Sequence, residues 1–179
     1  MPPERPPEPW DSFLGDLDRT LGQRVQLHCF GGFVISMLYG MPRPTVYVDV
    51  ISVFPHDQAA ALQAVAGQGS QLHRRHGLYL QHVGVASVPE NYRERLLEMF
   101  PTAYRRLRIL GLEAYDLALS KLERNAARDR EDVKYLARAV PLNLDVLEAR
   151  YRTELRPYLS GPARHDLTMQ LWRDMILEV

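Results

Sequence analysis

The stretch HCFGGFVISMLYGMPRPTVYVDVISVF, His28 to Phe54, constrains the fold more than any other part of the chain. Residues 24 to 30 alternate, with Val25, Leu27 and Cys29 on one face, and read as a strand. Gly31 and Gly32 follow at once and open an apolar helical stretch that ends near Tyr39 and Gly40, because Pro42 and Pro44 prevent its continuation. Residues 45 to 54, TVYVDVISVF, are rich in β-branched side chains and form the clearest strand in the sequence. A strand that runs through Gly-Gly into a helix aims backbone N–H groups and the positive helix end at one point, and the missing side chains let an anion come close. Paired glycines also serve tight turns and close packing. Side chains two apart share a strand face, so Thr45, Tyr47, Asp49 and Ile51 are expected on one side and Val46, Val48, Val50 and Ser52 on the other. An acid among apolar residues on a central strand needs a cation, a hydrogen-bond network or solvent in a cleft. Asp49 is therefore either paired with a structural arginine such as Arg43 or turned toward a ligand.

The rest of the chain supplies elements that can pack around this segment. Trp10, Phe13, Leu14, Leu17 and Leu21 recur at helical spacing. An alanine-rich helix is predicted from about Asp57 to Ala66, broken by GQGS at 67 to 70, and QLHRRHG leads into a third strand over 78 to 88. Pro89 suits the first position of a helix carrying Tyr92, Leu96, Leu97 and Phe100, and 107 to 112 reads as a short fourth strand. Helices are predicted over 114–124, about 130–140, about 144–158 and 166–178. Strands and helices thus interleave through the first two thirds and a helical region follows, which gives an α/β or α+β class.

Composition narrows the chemistry. Cys29 is the only cysteine, which excludes an internal disulfide framework and suits a reducing compartment. The proline-rich N-terminus lacks the basic start and apolar run of a signal peptide, and the longest apolar stretch is too short to span a bilayer, so a cytoplasmic protein with no membrane partner is expected. The formal net charge is zero, so any nucleic-acid surface must be local. Arg105, Arg106 and Arg108 beside Tyr104 form one such patch, which also reads as a solvated helix face. His73 and His76 have helical spacing but no third metal ligand in sequence reach. All but two of the basic residues are arginine, which draws attention to Lys121 and Lys134. Lys121 lies in DLALSKLERN, ahead of ARDREDVKYLAR, where Asp116 can cap one helix and Asp129 with Asp132 resembles a capping box for the next.

In combination, Gly31-Gly32, Arg43-Pro44-Thr45, the Val48-Asp49-Val50 strand, DLALSKLER and RDREDV resemble the nucleotidyltransferase-fold proteins related to the AbiEii abortive-infection toxins, over about residues 24 to 140. The resemblance implies a small mixed sheet flanked by helices; with the proline-rich composition and the helical spacing, the expected division is a flexible tail over 1–9, a nucleotidyltransferase-like domain over 10–140 and a helical C-terminal extension over 141–179 packed on it. It implies a nucleoside triphosphate held through Gly31, Gly32, Arg43 and Thr45, with Mg2+ or Mn2+ on Asp49. Lys121, with Asp129 or Asp132, is the helical motif that faces the nucleotide. The acceptor would be tRNA or a protein, and a cognate antitoxin a partner. Such families carry Asp-x-Asp on the strand, since acids at i and i+2 share a face and can hold two hard cations. Here Tyr47 stands in the place of the first acid, and the third strand has no Asp or Glu, His82 being its only side chain of a common metal-ligand type.

Overall fold

In the computed structural model, which describes residues 2–179, the chain falls into two compact units, each described separately below. Among the described residues, one comprises 2–85 and 96–112, the other 86–95 and 113–179. The break at 112 lies inside the stretch 10–140 that the sequence reading treats as one domain.

The first unit is built on a five-stranded mixed sheet: β1 (Val25–Phe30), β2 (Tyr47–Phe54), β3 (Tyr79–His82), β4 (Leu97–Met99) and β5 (Leu107–Gly111), in the order β3-β2-β1-β5-β4. β1 runs antiparallel to β2 and parallel to β5, β2 is parallel to β3, and β4 is antiparallel to β5. This is the small mixed sheet flanked by helices that the sequence predicts. The helices of this unit are α1 (Trp10–Thr20), α2 (Gly31–Tyr39), α3 (Ala59–Ala66) and α4 (Gln71–His76). α1 buries Trp10, Phe13, Leu14 and Leu17, the apolar stripe of the sequence. The ring of Trp10 meets those of Phe13 and Phe33 edge-on, at centroid distances of 5.8 and 4.7 Å, which ties α1 to α2.

Three local readings of the sequence are corrected. The third strand is four residues long rather than eleven. The segment after Pro89 is a single 3-10 turn, Tyr92–Arg95, followed by strand β4 in place of a helix. Its apolar residues answer to sheet pairing, since Met99 sits opposite Ile109 and both are buried. The alternation along β2 also breaks. The register passes from His28 opposite Ser52 to Cys29 opposite Val50, so Ile51 is an extra residue in a β-bulge. Val48 and Val50 are buried before it and Val53 after it. Tyr47 and Asp49 keep their common face, and the residues beyond 51 change sides.

The second unit is helical: α5 (Ala114–Leu119), α6 (Ala127–Ala139), α7 (Leu144–Arg150) and α8 (Pro162–Leu177). α7 continues through a π-helical turn, Tyr151–Leu155, and a 3-10 turn, Arg156–Tyr158, where Pro157 can no longer donate a backbone hydrogen bond. Trp172 of α8 is fully buried and donates its indole N–H to Asn125 at 2.9 Å. Among the described residues, no helix is long and apolar enough to cross a membrane.

Gly111 marks where α2 lies on the sheet. A Cβ there would come within 2.8 Å of Val34 Cγ1 and 2.9 Å of Met99 Sδ, whereas one on Gly22 would meet nothing within 4 Å. Gly111→Ala therefore overpacks the core and should lower the unfolding free energy by about 1–3 kcal/mol, read from urea denaturation, with Gly22→Ala close to wild type.

Candidate functional site

The corner between β1, α2 and β2 brings Gly31, Gly32 and Asp49 together. Gly31 has φ 76° and opens α2 directly from the extended Phe30. A Cβ on Gly31 would lie 2.5 Å from Asp49 Oδ2, so two independent constraints, a left-handed backbone and a carboxylate against its Cα, hold this position to glycine. Gly32 is different: its backbone is not in the left-handed region, and a Cβ would meet nothing within 4 Å. The space beside it is open. The first turn of α2 has no side-chain cap and no acidic residue of its own, so the helix presents its amides and positive end beside Asp49.

Asp49 pairs with Phe30 of β1 on one side and Gln81 of β3 on the other. It is half-buried, and its charge acts with complete burial to drive the Cys29 thiol far above its ordinary pKa, burial being the larger cause. Cys29 therefore stays a protonated thiol in the core. Tyr47 shares the face of Asp49, but its ring packs against Tyr79 at 5.5 Å, and Tyr79 in turn against His73 at 4.8 Å. The place where a second strand carboxylate would stand is thus one end of a row of rings. His82 pairs with Val50 and is out of phase with Asp49 by one residue. The β3 residue beside Asp49 is Gln81, an exposed neutral amide that the sequence reading passed over, because only the strand register identifies it. Among the described residues, no group of three or more His, Cys, Asp or Glu is arranged to hold a metal ion.

Arg43 and Thr45 lie in the connection between α2 and β2. Ser36 Oγ donates to the Arg43 carbonyl at 3.1 Å, and Thr45 Oγ1 donates to the Tyr47 carbonyl at 3.0 Å. Both contacts shape the path of the chain into β2.

Lys121, Asp129 and Asp132 form a cluster inside the second unit. α5 ends at Leu119, five residues short of the predicted helix end. Ser120 Oγ bonds the Leu117 carbonyl at 2.6 Å, and the chain loosens into turns that close at Asn125, φ 46°. The N-cap of α5 is Glu113, which accepts from the Asp116 N–H at 2.8 Å, rather than Asp116. Asp116 is fully buried and receives a bidentate pair from Arg95 at 3.0 and 3.1 Å and a third bond from Arg150 at 3.0 Å.

Lys121 Nζ lies 2.8 Å from Asp132 Oδ2 and 3.7 Å from Asp129 Oδ1, and all three side chains are buried. Asp129, at the third position of α6, accepts from the Ala126 N–H at 2.9 Å and from Arg124 at 2.6 and 2.8 Å. It makes the returning half of a capping box; Ala126 has no side-chain acceptor for the other half, and Asp132 faces Lys121 instead of the cap. Burial acts to raise the Asp129 carboxyl, but Arg124, the Ala126 amide and Lys121 outweigh it and hold the group below its ordinary pKa. Its contribution to stability is therefore complete above the unfolded-state value near 4 and fades as pH falls through the lower folded value.

Lys121→Ala would bury the Asp132 carboxylate without its ammonium. It should cost about 3–5 kcal/mol in urea denaturation at neutral pH, the usual penalty for breaking one side of a buried pair. Adding Asp132→Asn should recover part of the loss, whereas additive losses would show that the two side chains are uncoupled.

A model of the family described as nucleotidyltransferase of unknown function (DUF6036) matches residues 13–176. Searches of curated proteins and of solved structures returned no match. The family match runs from α1 to α8 and includes the Gly31–Asp49 corner and the Lys121 cluster, and the chain accordingly belongs to the nucleotidyltransferase family of unknown function, DUF6036.

Proposed function

We propose that the protein binds a nucleoside triphosphate with one divalent cation, Mg2+ or Mn2+, at the Gly31–Asp49 corner, and transfers the nucleotidyl group to an RNA or protein acceptor. The observation that carries this reading is the approach of Asp49 to a glycine-opened, uncapped helix N-terminus. The amides of that turn suit phosphate oxygens, and a carboxylate suits a hard cation that also coordinates those phosphates. The donor set fits one such ion rather than two, since Asp49 is the single acid on its face of β2 and its β3 neighbour is Gln81. When bound, the cation would neutralise the triphosphate and stabilise the departing pyrophosphate. In the transfer, the acceptor oxygen bonds to the α-phosphorus, the bond to the bridging oxygen breaks, and pyrophosphate leaves with the electron pair while the acceptor gives up its proton. Gly31 lets Asp49 approach the helix end that takes the phosphates, Gly32 leaves room for them, Arg43 and Thr45 are assigned to the nucleotide from the connection between α2 and β2, and Asp49 holds the cation. Within its own unit Lys121 is kept in place by Asp132 and Asp129, and its assignment to the negative charge of a triphosphate rests on the resemblance in the sequence. A toxin-like role, tRNA as acceptor and a cognate antitoxin rest on the resemblance in the sequence, and a cytoplasmic location on its composition; these complete the proposal.

A second reading, a nucleotide-binding partner without turnover, is favoured by the aromatic packing of Tyr47 where the fold would use another carboxylate. Incubation with labelled nucleoside triphosphates, Mg2+ or Mn2+ and total tRNA separates the two. Labelled RNA or self-labelled protein supports transfer. Binding without label supports the partner role, and no binding at all contradicts both. Asp49→Asn should abolish the metal-dependent part of nucleotide-induced thermal stabilisation while preserving the fold. Tyr47→Asp should raise Mg2+ affinity by placing a second carboxylate on the same strand face.

A further inference from the structure

At the opposite end of β1 from Gly31 lies a cavity of about 700 Å³, within the range of small-molecule sites. It opens where the parallel strands β1 and β5 begin side by side, Val25 opposite Leu107. The length of β1 separates it from the Gly31 corner by about 20 Å at strand rise. Its lining carries Arg24 together with Arg105, Arg106 and Arg108, the last three being the patch that the sequence offers as a solvated helix face; they lie instead in the bend that leads into β5 and in β5 itself. The lining is also apolar and aromatic, through Val25, Phe54, Pro55, Met99, Phe100 and Leu107.

The four arginines are not equivalent. Arg108 is neutralised by a bidentate pair with Glu98, at 2.9 and 3.2 Å, and also reaches Gln26. Arg106 donates to the Leu21 carbonyl. Arg24 and Arg105 are exposed and have no side-chain partner among the described residues. Their backbone is nevertheless fixed. The Asp18 carboxylate accepts the N–H groups of Arg105, Arg106 and Leu107 at 3.2, 2.7 and 2.8 Å, and Val25 N–H bonds the Arg106 carbonyl at 2.8 Å. Phe100, which also lines the pocket, sits at φ 54°, an uncommon conformation for an aromatic residue. Two exposed guanidiniums on a braced backbone, in a pocket also lined by rings and aliphatic groups, suit a planar or tetrahedral anion that carries apolar surface.

We propose that this pocket is a second anion site, which takes a phosphate group carried on a flat, largely apolar body, the phosphate on Arg24 and Arg105 and the body on Phe54, Met99 and Phe100. The proposal stands independently of the nucleotide site. It is tested by calorimetric titration of the full chain in EDTA, which silences metal-dependent binding, with inorganic phosphate, phenyl phosphate and a short RNA with or without a 5′-phosphate. Phenyl phosphate should bind more tightly than inorganic phosphate. The double variant Arg24→Gln, Arg105→Gln should lose about tenfold or more in affinity, as expected for charge-assisted hydrogen bonds, with an unchanged melting temperature. Asp49→Asn should bind phenyl phosphate as the wild type does. Tighter binding of the 5′-phosphorylated RNA, lost in the same double variant, would identify a nucleic-acid end as the source of the phosphate; weaker binding would identify a free small molecule. Absence of binding by every probe at millimolar concentration, or binding that survives the double variant, would overturn the proposal.

Discussion

The contact between Gly31 and Asp49 organises the first unit. Because the Gly31 backbone is left-handed and its Cα lies against the Asp49 carboxylate, α2 can start the moment β1 ends, with no intervening loop. That places the helix end, its uncapped amides and the acid of the neighbouring strand at one point. The rest follows from it. α2 must pack back across the sheet, which requires Gly111 beneath Val34. The bulge at Ile51 lets β2 keep Asp49 outside the core while returning Val53 to it.

The second unit solves a different problem. Its interior contains Asp116, Asp129, Asp132 and Lys121, groups that would be costly to bury alone, and it satisfies them through dense, charge-assisted pairing. Lys121 is thereby oriented by carboxylates rather than mobile in solvent. Its removal is a structural event in this unit, whereas Asp49 is half-buried at the surface of the other unit's sheet.

Much of this was legible in the sequence, and the limits have physical causes. The strand, Gly-Gly, helix and strand of residues 25 to 54 could be read because each has a strong local signal: alternation, glycine and β-branching. β4 could not, since a three-residue strand is defined by its partner, Met99 opposite Ile109, and not by its own period. Gln81 beside Asp49 depends on a parallel register that no single strand encodes. Asp129 and Asp132 looked alike in RDREDV, yet one caps a helix and the other holds Lys121, a difference set by three-dimensional neighbours. The arginine patch was visible as composition, but its cavity is created by two strand ends remote in sequence.

The central claim, that the Gly31–Asp49 corner holds a metal-bound nucleotide, is tested most directly by a crystal structure with a non-hydrolysable nucleoside triphosphate and Mn2+, located by anomalous scattering. A single manganese peak is expected at coordination distance, about 2 Å, from an Asp49 oxygen, with phosphate oxygens on the amides that open α2. A triphosphate bound elsewhere, or a manganese ion with no bond to Asp49, would contradict it.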